Sequence, residues 1–248
     1  MNNFEKWIAS FSGCDGGYPE NTIWLCGIEW SFEKGENKEE YYYNKLPDEI
    51  NRGFRDLPEK KYSLVDGLAY PYGIKVAKLY SAILGCKVSE YKEVVLNNNY
   101  EGVFRLNIYP IAFAKDDDCY WGKYNLEKIT NLKSKQEYRE YCKLKRFPWF
   151  YSKLMEYKPK IVICTGVEYL DEFVSCFAGN IGNNHVVCEE VSIIDENKNI
   201  EKRNIYWIKT ERGIYLFVVP FLGGRYGLNY DMLLQKVGDK IRLISDYN

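Results

Sequence analysis

One histidine, His185, stands in the whole sequence. Its isolation excludes metal sites built from several imidazoles. Any Ser-His-Asp or Cys-His constellation would have to use His185 alone. It lies in "GNIGNNHVVCEE", a loop running into a strand, where a surface or packed role is the commoner one. Eight cysteines are present but none forms a Cys-x-x-Cys pair. Several sit inside apolar runs and read as small hydrophobes. A disulfide framework, a zinc site and an iron–sulfur cluster are therefore not expected. No apolar run reaches the length of a membrane span, and "MNNFEKWIASFSG" lacks the basic start and apolar core of a secretory signal, so a cytoplasmic protein is expected. The net charge is −1, which leaves no global field drawing a polyanion. A phosphate-cradling glycine loop of the usual spacing is also missing, which weakens a nucleotide-handling reading. No cofactor and no metal are expected.

What is present suits a folded α/β protein. Hydrophobic residues make up 46% of the 248, an ordinary globular share. With no repeat, low-complexity tract or clear linker, residues 1–248 read as one domain, expected to be a monomer, with an insertion of loops and short helix at 33–63. "IWLCG" (23–27), "GVFRLNIYP" (102–110), "KIVICTG" (160–166), "HVVCEEVSII", "RNIYWIKT" and "IYLFVVP" read as strands. "PYGIKVAKLYSAILG" (71–85), "VEYLDEFVSCF" (167–177) and "YDMLLQKVGDKIRLI" (230–244) read as helices. "SKQEYREYCKLKRFPWFYSKLMEY" (134–157) reads as two helical pieces divided near Pro148. The basic, aromatic stretch 133–160 fits either a solvated helix face or a nucleic-acid-facing surface.

Recurring strand–Gly–helix units predict a mainly parallel sheet covered by helices on both faces. Ligands of such sheets gather at the C-terminal strand ends. Three strands end in suggestive chemistry: Gly27-Ile28-Glu29-Trp30, Asn107-Ile108-Tyr109-Pro110 and Pro220-Phe221-Leu222-Gly223-Gly224-Arg225.

In order, these motifs resemble those of the uracil-DNA glycosylase superfamily. "GIEWS" stands where the family's first motif carries a water-activating Asp, which maps to Glu29. "DGLAYPYG" is similar to the stretch with a base-stacking aromatic, matching Tyr70. "VFRLNIYP" resembles the strand ending in a base-reading Asn, matching Asn107. "RFPWFYSKLMEYKPKIVICTG" resembles the family's helix–Lys-Pro–strand–Gly segment. "LFVVPFLGGRYGLN" occupies the place of the last motif. The resemblance spans about residues 22–244. It implies a three-layer α/β/α sandwich with a short, mainly parallel central sheet. Two departures stand out: Trp30 replaces a Pro, and the last motif has no His.

The implied activity is hydrolysis of an N-glycosidic bond by a DNA glycosylase, with DNA as the partner and an abasic site as product. A flipped-out base must be stacked and read by hydrogen bonds, and a carboxylate near C1′ stabilises the oxocarbenium-like sugar. The resemblance assigns catalysis to Glu29 and base binding to Asn107, Tyr70 and Trp30. Arg225, with Gly223 and Gly224 beside it, is assigned to phosphate or leaving-base contact. The altered last motif and the 33–63 insertion suggest a modified base, as in antiviral defence. Plainer readings stand beside these: Glu29 as a helix-capping carboxylate, Asn107 as a turn residue, Tyr70 and Trp30 as packing, Arg225 as surface charge. A catalytically silent protein that binds DNA or a protein partner is the competing class.

Overall fold

A computed structural model of the chain describes residues 2–32, 35–58, 63–97, 102–113, 119–179, 185–195 and 197–247. Among the described residues seven strands form one sheet: β1 (Cys14–Gly16), β2 (Ile23–Gly27), β3 (Val103–Asn107), β4 (Ile161–Thr165), β5 (Val187–Ile194), β6 (Ile200–Lys209) and β7 (Tyr215–Val219). Their order is β1-β3-β2-β4-β7-β6-β5. The helices that matter for the site are α1 (Asn3–Ile8), α2 (Leu46–Arg52), α3 (Pro71–Ile83), α4 (Lys135–Tyr157), α5 (Leu170–Phe177) and α6 (Asp231–Ser245).

The sheet is mixed, which corrects the expected mainly parallel one. β3, β2, β4 and β7 run parallel, whereas β1 on β3, β6 on β7 and β5 on β6 are antiparallel. The cause lies in the connections. Segments 195–199 and 210–214 join β5 to β6 and β6 to β7. A parallel crossover needs a dozen or more residues, so links this short produce hairpins.

Strand alternation sorts the apolar residues into two cores. Trp24, Cys26, Phe104, Leu106, Val162 and Cys164 face α1, α2, α4 and α5. Ile23, Leu25, Val103, Ile161, Ile163 and Phe217 face α3 and α6. β2, β3 and β4 are buried on both sides, and such strands read as unbroken apolar runs.

One further expectation changes. The basic stretch forms one helix, Lys135–Tyr157, with Pro148 inside it, not two pieces. A proline there removes the bond to the carbonyl four residues back. That residue is Leu144, which is 69% exposed, so water reaches the turn, while Phe147, Phe150 and Leu154 hold the inner face. Within the span of the expected insertion, 33–63, the described residues include short helical pieces between Lys38 and Arg52. Tyr42, Leu46 and Ile50 are buried in the α4-side core. The sequence reading assigned no element to α1 or β1, which are too short to show a period.

Candidate functional site

β2 has β3 on one side and β4 on the other. The strand order therefore reverses at β2, and in α/β sheets a crevice opens outside the strand ends at such a switch point. The chain leaving β2 stays beside the chain leaving β3. Ile108 N–H donates to Gly27 O (3.1 Å), Tyr109 N–H to Ile28 O (2.9 Å) and Phe113 N–H to Trp30 O (2.9 Å). Glu29 is thus fixed at the mouth of the switch point by backbone pairing.

Its carboxylate meets the first turns of α4. Lys135 Nζ lies 2.9 Å from Glu29 Oε1, and Arg139 Nη2 lies 3.8 Å from Oε2. Lys135 and Arg139 are four apart and share a helix face. An anion at a helix N-terminus is also favoured by the peptide dipoles. The two cations differ in setting. Lys135 is buried, with 1% of its side chain exposed, and its ammonium sits 4.0 Å over the Phe113 ring. Arg139 keeps 17% exposed and lies 5.4 Å over Tyr109 and 5.9 Å over Tyr169. Tyr169, just past β4, meets Phe221, just past β7, edge to face at 6.4 Å. Groups following all four parallel strands therefore converge around Glu29 and Arg139.

Lys135, Arg139 and Tyr169 were not singled out from sequence, and Tyr109 and Phe221, though within the strand-end motifs quoted, were assigned no role. A signal existed for the two cations. Lys135, Arg139, Cys142 and Arg146 recur at helical spacing on the face that also carries Tyr138 and Phe150. Cations within an apolar stripe are inward-facing and need partners. The basic stretch is consequently neither wholly a solvated face nor a free basic surface. Outward lysines pair with acids: Lys143 with Glu140, Lys145 with Glu5 and Lys153 with Glu156.

Asn107 is buried, and its amide lies over Gly27, its register partner on β2. A Cβ at Gly27 would come 2.2 Å from Asn107 Oδ1. Only glycine admits the amide there. Gly27→Ala should displace Asn107 and destabilise the fold by about 1–3 kcal/mol, the range for forced overpacking; chemical denaturation measures it. By strand alternation this amide belongs to the α3/α6 face, whereas the Glu29 carboxylate is held from α4.

Trp30 is half-buried and donates its indole N–H to Gly13 O at 3.1 Å. The Arg105 guanidinium lies 5.9 Å over Trp30 and 5.8 Å over Tyr72. Tyr70 precedes Pro71, the first residue of α3, and is 38% exposed, with Tyr72 at 39%. A second close approach sets these tyrosines in place, since a Cβ at Gly73 would fall 2.0 Å from Gly67 O. Trp30 and the start of α3 thus share one rim through Arg105.

Arg225, Gly223 and Gly224 are exposed on the loop after β7. Arg203 of β6 anchors that loop through Gly227 O (3.0 Å) and Arg225 O (3.2 Å). The Arg225 guanidinium rests 5.6 Å over Tyr226. A Cβ on Gly223 or Gly224 would meet open space, so no close approach within the fold requires those two glycines. His185 is exposed.

Tyr109, in the site's floor, carries a defect that can be measured. Its ring is fully buried and its hydroxyl has no hydrogen-bond partner among the described residues. Burial pushes the phenol's pKa well up, so it stays protonated. Tyr109→Phe removes an unsatisfied polar atom, whose burial costs about 1–3 kcal/mol. The variant should be at least as stable as wild type by thermal unfolding.

Among the described residues no cluster of three or more His, Cys, Asp or Glu is placed to hold a metal ion. No described helix is long and apolar enough to cross a membrane. Cys14, Cys26, Cys142, Cys164 and Cys176 are buried thiols, and burial pushes Cys142 up to about 12, which suits packing and not nucleophilic chemistry. Comparison of the chain with protein-family models, curated proteins and solved structures finds no match.

Proposed function

We propose that the chain is a DNA glycosylase of uracil-DNA glycosylase-like, three-layer architecture, which hydrolyses the N-glycosidic bond of a flipped-out, modified base. The observation that carries this reading is Glu29, a carboxylate 12% exposed at the sheet's switch point, whose cationic neighbours Lys135 and Arg139 lie over the rings of Phe113, Tyr109 and Tyr169. Cleavage leaves an oxocarbenium-like sugar, which a neighbouring carboxylate stabilises while it orients the attacking water. Asn107 would read the base edge, and Tyr70, Tyr72 and Trp30 would supply stacking surface at the rim. Arg225, beside Gly223 and Gly224, would contact phosphate.

One observation favours the competing class, a DNA- or protein-binding member without catalysis. Lys135 neutralises much of the Glu29 charge at 2.9 Å, and a neutralised carboxylate stabilises a cation less.

Alkali-dependent strand scission separates the two. Wild type and Glu29→Gln would be incubated with DNA carrying uracil, hydroxymethylated and glucosylated cytosine and other modified bases. The glycosylase reading expects abasic sites from wild type and a loss of roughly 100-fold or more in the variant, the usual weight of a positioned acid–base group. Full excision by Glu29→Gln removes the mechanism. Salt-dependent DNA retention by both proteins, with no abasic product on any substrate, establishes the binding class.

A further inference from the structure

Two groups of exposed rings stand at the C-terminal strand ends. Tyr72, at the start of α3, shares the Arg105 guanidinium with Trp30, which follows β2. The loop after β7 raises Phe221, 40% exposed, and Tyr226, 78% exposed. The loop is built to hold that shape. Leu222 and Leu228 are buried at its two ends, and Leu228 N–H donates to Phe221 O at 2.7 Å. A Cβ on Gly227 would collide with Gly223 O and Phe221 O, so the turn closes only with glycine there. Arg203 holds the loop from β6. Lys75 holds it from α3, with its ammonium 2.9 Å from Leu228 O. Tyr72 and Lys75 are three apart and share a helix side. Trp30, Arg105, Tyr72, Lys75 and the loop thus form one continuous surface. Two acids next to it are engaged elsewhere: Asp231 by Lys78 at 2.7 Å, and Asp66 by the Ser63 N–H and hydroxyl.

We propose that this surface binds an unpaired DNA strand in preference to a duplex. The inference deepens the glycosylase reading and rests on its DNA partner, not on catalysis. A duplex shows phosphates outward and hides its base faces, so its affinity comes largely from cations on phosphate. The described cations here do not make such a field. Net charge is −1. Lys143, Lys145 and Lys153 of α4 pair with acids. At the mouth Arg105 and Arg225 lie over rings and Lys75 lies on a carbonyl. An unpaired strand offers base faces, and exposed rings interleaved with cations are what such a strand binds. With the target base in the crevice, one flanking base stacks on Tyr72 and the other on Tyr226, while Arg225 meets the backbone between. No pair has to be broken to bring the target base in.

The test is equilibrium binding of a fluorescein-labelled oligothymidylate, alone and annealed to oligodeoxyadenylate, read by anisotropy across a salt series. Wild type should bind the single strand roughly 10-fold or more tighter than the duplex. Tyr226→Ala and Tyr72→Ala should each weaken single-strand binding by roughly 10-fold, the loss expected for one base stack. Tyr226→Trp should keep it, because the ring face and not the hydroxyl is used. Tyr226 is so exposed that its variants should unfold at the wild-type temperature, which separates lost stacking from lost fold. Duplex binding as tight as or tighter than single-strand binding overturns the proposal. Equal losses on both forms in Tyr226→Ala overturn it too, since the ring would then serve the duplex, and so does unchanged binding in both alanine variants. The strand-scission assay separates this result from the glycosylase reading. Single-strand preference without abasic product on any substrate ends the glycosylase reading and leaves the surface assigned. Excision with a duplex preference ends only the present proposal. Retention of neither form ends both.

Discussion

Lys135→Met should destabilise the protein by about 3 kcal/mol, and adding Glu29→Gln to the same chain should recover most of that loss. The single variant leaves a carboxylate that is 12% exposed without the ammonium 2.9 Å away. Removing one partner of a buried pair costs roughly 3–5 kcal/mol, because the remaining charge is stranded. The lower end applies because Arg139 still stands 3.8 Å from the other oxygen. Methionine fills the alkyl space of the lysine and stays compatible with the Phe113 ring, so little of the loss is cavity. The double variant has no stranded carboxylate, only a neutral amide, and Arg139, which loses its 3.8 Å counter-charge, keeps 17% of its side chain exposed to water. Urea unfolding of wild type, both singles and the double closes the cycle. A purely additive double would mean that the two side chains do not act as a pair.

Arg146→Met should cost still more, about 4 kcal/mol or above. Arg146 is fully buried near the middle of α4. Its guanidinium donates to Ile8 O, Ser10 O, Ser12 Oγ and Ser12 O in the N-terminal segment and to Asn107 O at the end of β3. Its remaining face lies 4.4 Å over Phe150. Hydrogen bonds from a charged donor contribute about 1.5–3 kcal/mol each, and every buried acceptor left bare adds a desolvation cost. Methionine can replace the stem but none of the donors. Lysine does not rescue the site, since a point charge with three donors cannot span acceptors arranged for a fork. Loss of this bolt also frees residues 8–12 from the strand end that carries Asn107. Amide exchange in that segment should therefore accelerate more than in α6, which is on the other face of the sheet. Equal acceleration everywhere would show that Arg146 supports global stability alone.

Local features of the chain made much of this fold readable. The runs Ile23–Cys26 and Ile161–Cys164 are apolar throughout because their strands are covered on both faces. Leu79 and Ile83 recur at helical spacing because α3 presents one side to the sheet. Glu29 could be singled out because a charge directly after a buried strand has little reason to be there unless something uses or neutralises it. The mixed sheet was also within reach. Three strands in succession, with only 195–199 and 210–214 between them, cannot form parallel crossovers.

The partners of Glu29 were not readable in the same way. Lys135 and Arg139 lie more than 100 residues along the chain, and Lys135 meets Glu29 with a separation of 106. Their helix carries four further cations, Lys143, Lys145, Arg146 and Lys153, and burial, not residue type, separates Arg146 from its neighbour Lys145. Periodicity flags which face of a helix turns inward, but not what waits there. What the sequence determined by itself is the set of buried strands, the main helices and a carboxylate placed at a strand end. Those follow from side-chain polarity repeated at short range. Only the tertiary structure decided that the carboxylate would sit at a switch point with a sealed lysine on one oxygen and an arginine facing the other. That outcome depends on strand order and on where α4 begins above the sheet edge, both set by contacts between segments far apart in the chain.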